Sequence, residues 1–167
     1  MANLYSAEGG VRREARETLT FVGRQAVRHW IPLLKDPDAE IRWKAPKALA
    51  DIADARASLD LVATLEDPDF GVRWLAAEGL ISIGRNALRP LMKALTKRSG
   101  SAWLREGAHH VLHDLAGKDL EVEDLVRPVI AGLERNEPEI GGMEAAYAAL
   151  HQLKGSIKKG QTSEVKS

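Results

Sequence analysis

The sequence predicts an all-α chain wound as a right-handed α–α superhelix of about four and a half helical pairs. Three observations carry that expectation. Leu34-Lys-Asp-Pro-Asp-Ala-Glu-Ile-Arg-Trp-Lys-Ala returns 31 residues later as Leu65-Glu-Asp-Pro-Asp-Phe-Gly-Val-Arg-Trp-Leu-Ala. The register then holds, Leu49 falling on Leu80, Ile52 on Ile83 and Leu65 on Leu95. Weaker copies flank this central pair, as expected of an array whose end units lack a neighbour on one side.

The units are read as residues 4–34, 35–65, 66–98 and 99–136, with a half unit at 137–153 and a polar tail at 154–167 expected to lack fixed structure. In the first unit Val11-Arg12, Ala15, Leu19 and Val22 align with Ile41-Arg42, Ala45, Leu49 and Ile52, but Ser6-Ala-Glu-Gly-Gly stands where the Asp-Pro turn belongs. In the second, Asp36-Pro37-Asp38 marks a helix start, because an acid and a proline suit the first turn. Ile41, Ala45, Ala48, Leu49 and Ile52 then form one apolar stripe at about 100° per residue. A second helix is expected over about Arg56 to Leu65, with counterparts at Gln25 to Leu34 and Asn86 to Lys97. Pro32, Pro90 and Pro128 recur in these second helices and should bend them. The fourth unit keeps Leu104-Arg105, Ala108, Leu112 and Leu115 but replaces the acidic turn with Ser99-Gly-Ser. Lys118 to Asp124 reads as an extended connection into the helix of Leu125, Val129, Ile130 and Leu133. Ala146, Leu150 and Leu153 repeat the fourth unit's pattern in the half unit.

The run Asp-Pro-Asp-x-x-Ile/Val-Arg-x-x-Ala, followed by Leu and Ile at helical spacing, resembles HEAT repeats, specifically the short bacterial type first described in phycobilisome (bilin) lyases. Residues 34–95 match it closely, the flanks loosely. The resemblance implies that the Arg-bearing helices line a concave surface. It also implies that an Asp six residues before the Arg joins a ladder between units, a structural role that falls to Asp36 with Arg42 and Asp67 with Arg73. Ser6 and Ser99 break that spacing before Arg12 and Arg105.

Opposite the apolar stripe, the exposed row should run from Arg13 and Arg16, through Trp43, Pro46 and Lys47, then Trp74, Ala77 and Glu78, to Glu106, His109, His110 and His113, ending at Tyr147 and His151. Trp43 and Trp74 are the sharpest feature, since tryptophan is over-represented among binding hot spots. The competing reading lays each ring over the neighbouring helix to seal the stack. Trp30 and Trp103 fall off the row and read as packing residues. Glu106, His109, His110 and His113 share one arc, with His151 on the next helix, in spacings that can converge on a metal. The deoxyhypusine-hydroxylating HEAT enzymes instead place His-Glu pairs where this chain has Trp43-Lys44 and Trp74-Leu75, so no metal or other cofactor is expected.

Composition narrows the classes. Lys+Arg and Asp+Glu are 24 each, giving no global field toward nucleic acid or anionic lipid. There is no cysteine, hence no thiolate nucleophile or Cys-based zinc site. No run approaches the roughly 20 apolar residues of a membrane helix, and Met1 to Gly10 lacks the pattern of a signal peptide. No nucleophile–base pair, phosphate loop or carboxylate dyad stands out. The expectation is a non-enzymatic cytoplasmic scaffold, monomeric or weakly oligomeric, that binds a protein partner along its concave face. The first alternative, resting on the family resemblance, is a bilin-lyase-like chromophore-handling protein, and behind it stand a metal-binding and a DNA-binding HEAT protein.

Overall fold

The computed structural model describes residues 22, 23 and 25–163, with side chains described as far as Lys154. The first helix expected of the first unit, with Arg12, Arg13 and Arg16, lies outside the described residues. The helices are α1 (residues 25–33), α2 (Ala39–Ile52), α3 (Ser58–Thr64, preceded by a 3-10 turn at Ala55–Ala57), α4 (Phe70–Ile83), α5 (Arg85–Arg98), α6 (Ala102–Ala116), α7 (Leu120–Leu133) and α8 (Pro138–Ser163). Among the described residues there is no strand, and no helix is long and apolar enough to cross a membrane. The chain is an all-α solenoid.

Each Arg-bearing helix starts on a side-chain cap that satisfies otherwise unpaired backbone N–H groups, worth about 1 kcal/mol apiece. The Asp38 carboxylate accepts from the Glu40 N–H, Asp69 from Val72, and the Ser101 hydroxyl from Leu104. Asp119 does the same for α7, accepting from Glu121 and Val122. The segment Glu121 to Asp124, expected as extended connection, is therefore the first turn of α7. Glu121 and Glu123 lie there because a helix N-terminus favours negative charge. α2 and α4 end at equivalent places with positive φ, Ala53 in left-handed α backbone (φ 51°, ψ 37°) and Gly84 in a region that side chains disfavour still more (φ 71°, ψ −140°). Glycine takes that conformation without the Cβ clash that alanine incurs.

The helices stack in two rows. α2 packs on α4 and α4 on α6, while α3 packs on α4 and α5, and α5 on α6. Between them runs one apolar core to which every unit contributes, with Leu49, Leu61, Leu80, Leu91 and Leu112 fully buried. Each such leucine stabilises the fold by about 1.5–3 kcal/mol relative to exposure. Val27 and Leu34 tie α1 into the same core.

The array closes differently from its middle. α7 packs on α6, but α8 packs on α7 and α5 and touches α6 only lightly, so α5 to α8 form a ring of four helices. Glycines allow this approach: a Cβ on Gly132 would lie 2.6 Å from the Gly141 carbonyl carbon, and one on Gly142 2.5 Å from Leu133 Cδ2. α8 continues to Ser163, past the Lys154 boundary at which the sequence reading placed the start of a structureless tail. No proline interrupts residues 154–163, so the backbone can propagate the helix.

Gly132→Ala tests this closure. In an open helix the change stabilises by up to about 1 kcal/mol. Here overpacking against the α8 backbone should reverse the sign and destabilise by about 1–3 kcal/mol, read as a lower midpoint in urea with the slope unchanged.

Candidate interaction surface

What positions the row is a contact each unit makes with itself. Arg42 Nη1 donates to the carbonyl oxygens of Asp36 (2.9 Å) and Pro37 (3.1 Å), and Arg73 Nη1 to those of Asp67 (2.8 Å) and Pro68 (3.2 Å). Arg105 Nη1 donates to the Ser99 carbonyl. Each arginine thus folds the preceding turn down onto its own helix. Because the acceptor is backbone, Ser99 serves as well as an aspartate. The aspartate side chains do other work: Asp36 and Asp67 each accept from the N–H two residues on. Asp67 also accepts from Arg42 Nε at 2.8 Å, joining the second unit to the third, with both side chains largely buried.

On this frame Trp43 and Trp74 are 42% and 47% exposed, half open to solvent on successive helices. The Trp43 indole leans over the start of α4, where Gly71 makes room: a Cβ there would meet Trp43 Nε1 at 3.2 Å. Lys47 Nζ stands 5.3 Å from the Trp43 ring centre, a cation–π arrangement. Trp74 stacks on His110 of α6, ring centres 4.5 Å apart and planes at 26°, and His110 Nε2 lies 3.0 Å from Glu78 Oε1. Each ring thus lies against the next helix, as the sealing reading expects, while staying about half open to solvent.

These turns, their arginines and the helix pairs behind them match the model for HEAT repeats over residues 27–113, more than half of the chain. The chain belongs to the HEAT repeat family. A search of curated proteins found no match to the sequence.

Along this HEAT array the remaining candidates separate. Lys47, Glu106 and His113 are exposed, and Glu78, His109 and His110 half-buried, all on α2, α4 and α6. His109 turns away from His110 toward the end of α7, its Nε2 2.9 Å from Glu134 Oε1, and its ring lies near-parallel to that of His113 on the same helix, centres 6.2 Å apart. The histidines are thus divided between two carboxylates on different helices. Among the described residues no three His, Asp or Glu side chains converge as a metal site requires. Tyr147 and His151 are exposed but pair with each other at 4.7 Å on α8, the helix that packs on α7 and α5. They do not extend the α2–α4–α6 row. Arg13 and Arg16 lie outside the described residues.

Four positions differ from what the sequence led one to expect. Pro46 and Ala77, read as exposed, are buried, because side-by-side stacking covers the flank of each helix as well as its core stripe. The Pro46 carbonyl lies 3.7 Å from where a Cβ on Gly79 would stand. Trp103, read as a packing residue, is 45% exposed and lies under the Arg73 guanidinium, 4.6 Å from carbon to ring centre. Phe70, 67% exposed and 6.4 Å from Trp74, was missed altogether. Its signal was available: an aromatic residue directly after the acidic turn, where the second unit has Ala39.

Replacing Asp67 by alanine removes the Arg42 partner and the turn's own acceptor together, and should destabilise by about 2–4 kcal/mol. Ser99→Ala, which leaves the backbone acceptor in place, should change stability by no more than about 0.5 kcal/mol. Urea unfolding of both variants checks the contrast.

Proposed function

We propose that this HEAT array is a non-catalytic scaffold that binds a partner protein along the Arg-bearing row, with Trp43 and Trp74 as the anchors. HEAT repeats commonly mediate protein interactions. The observation that carries the reading is the half-open pair of indoles on adjacent helices, held in place from beneath by Gly71 and His110. Their orientation is fixed before binding, so little side-chain freedom is lost when a partner covers them. A buried indole at an interface is worth more than most contacts around it, whereas solvent gains nothing from an exposed one.

Charge then orients the partner. Lys44 and Lys47 flank Trp43, and Glu78, Glu106 and His113 stand along the opposite end. Such a gradient favours one direction of docking over its reverse and speeds encounter more than it adds affinity. A preformed, extended surface with no convergent reactive groups suits recognition of a protein segment.

Capture of partners from the native cell with the intact chain and with Trp43→Ala/Trp74→Ala tests this. The double variant should keep its helical circular dichroism and bind the captured partner at least roughly thirtyfold more weakly, the effect of losing about 2 kcal/mol. Undiminished binding would place the contact elsewhere.

A further inference from the structure

Arg42 and Arg73 hold equivalent positions in successive units, yet their guanidinium groups meet different surroundings. Both use Nη1 on the carbonyls of their own turn. Arg42 Nε then meets the Asp67 carboxylate of the next unit at 2.8 Å. For Arg73 the matching residue is Ser99. Among the described residues Arg73 has no carboxylate partner, and its Nε and Nη2 reach no acceptor. The acids of the adjoining turn are already committed: Asp67 to Arg42, Asp69 to the Val72 N–H, and Glu66 to Arg98. Instead the guanidinium is flanked by two rings, Trp103 at 4.6 Å and Phe70 at 5.6 Å.

Stacking occupies the faces of a guanidinium and leaves its in-plane donors available. A half-buried cation edged by apolar surface pairs with an anion more strongly than one in water. The rings themselves are open, Trp103 45% and Phe70 67% exposed, and Phe70 runs on into Trp74. Together they make a contiguous aromatic patch around one unmatched positive charge, adjoining the Arg-bearing row at Trp74.

We infer that this break in the ladder is a recognition point for an acidic side chain of the bound protein. The partner's Asp or Glu takes on Arg73 the place that Asp67 takes on Arg42, and an adjoining apolar or aromatic side chain lies on Phe70 and Trp103. The inference rests on the reading of the row as a partner surface and supplies the chemistry of what docks there.

The test uses the full chain, isotope-labelled, titrated with the capped peptide Gly-Asp-Phe-Gly and with its Gly-Asn-Phe-Gly counterpart, following the Arg73 Nε and the four indole signals by NMR. The acidic peptide should shift Arg73 and Trp103, and the amide peptide should bind about tenfold more weakly, as loss of a charge-assisted pair requires. Ser99→Asp gives Arg73 a carboxylate from within; it should weaken the acidic peptide by about tenfold while the helical spectrum is kept. Equal affinity for the two peptides, no shift at Arg73 and Trp103, or undiminished binding by Ser99→Asp would overturn the inference. Shifts confined to Trp43 and Trp74 would overturn it too, while leaving the row as the partner surface. Loss of that reading would show separately, as retention of the cellular partner by the Trp43→Ala/Trp74→Ala variant.

Discussion

The close side-by-side packing of α2, α4 and α6 governs what this molecule can present. Helices brought edge to edge need small residues at the seam, and Ala45, Pro46, Ala76, Ala77, Gly79 and Ala108 are buried there or beside it. Gly79 and Gly107 admit the tips of Leu61 and Leu65, which a Cβ would meet at 3.0 and 2.8 Å. Once the core stripe and both flanks are covered, each of these helices keeps one narrow strip for solvent. On α2 and α4 the large side chain in that strip is a tryptophan. The exposed indoles are thus a consequence of how tightly the rows close, and their spacing is the spacing of the helices.

The arginines set the second constraint. An interaction with backbone carbonyls tolerates any residue in the turn, which lets the fourth unit keep its geometry after losing the acidic sequence. The inter-unit bond has no such freedom, since it needs the carboxylate of Asp67. A serine at position 99 therefore separates two roles that look like one in the central repeats. It preserves the turn and releases Arg73 from its neighbour. Farther along, Gly132, Gly141 and Gly142 bring α7 and α8 together, and α5 to α8 form a four-helix ring.

The fold was legible because its main signal is redundant: a turn, an arginine and an apolar stripe recurring in register make any single ambiguous position unimportant. The row was legible in part. Angles on an isolated helix separate the core side from its opposite, which places Trp43, Lys47 and Trp74, but they say nothing of the flanks that a neighbouring helix covers. Pro46 and Ala77 were misplaced for that reason. Trp103 shows the reverse: it stands at the position of Gly71, which in the preceding unit receives the Trp43 ring, and a large ring placed there lies over Arg73 with 45% of its surface still open. Tyr147 and His151 align with the row by periodicity, yet α8 swings to the other side of α7, a consequence of backbone contact at glycines that a hydrophobic pattern does not record. Asp119, by contrast, was a readable cap before an acidic first turn, and the extended reading of Lys118 to Asp124 passed over it.

Under the proposed function, a partner would meet rings already lying against neighbouring helices, with Lys47 beside one and Glu78 beside the other. The most direct measurement is acrylamide quenching of single-tryptophan variants, each retaining one of Trp30, Trp43, Trp74 and Trp103. Bimolecular quenching constants for Trp43 and Trp74 should exceed that for Trp30, which packs against the core, by several-fold. Equal protection of Trp30, Trp43 and Trp74 would mean that the row is closed in the free protein, and would contradict the account.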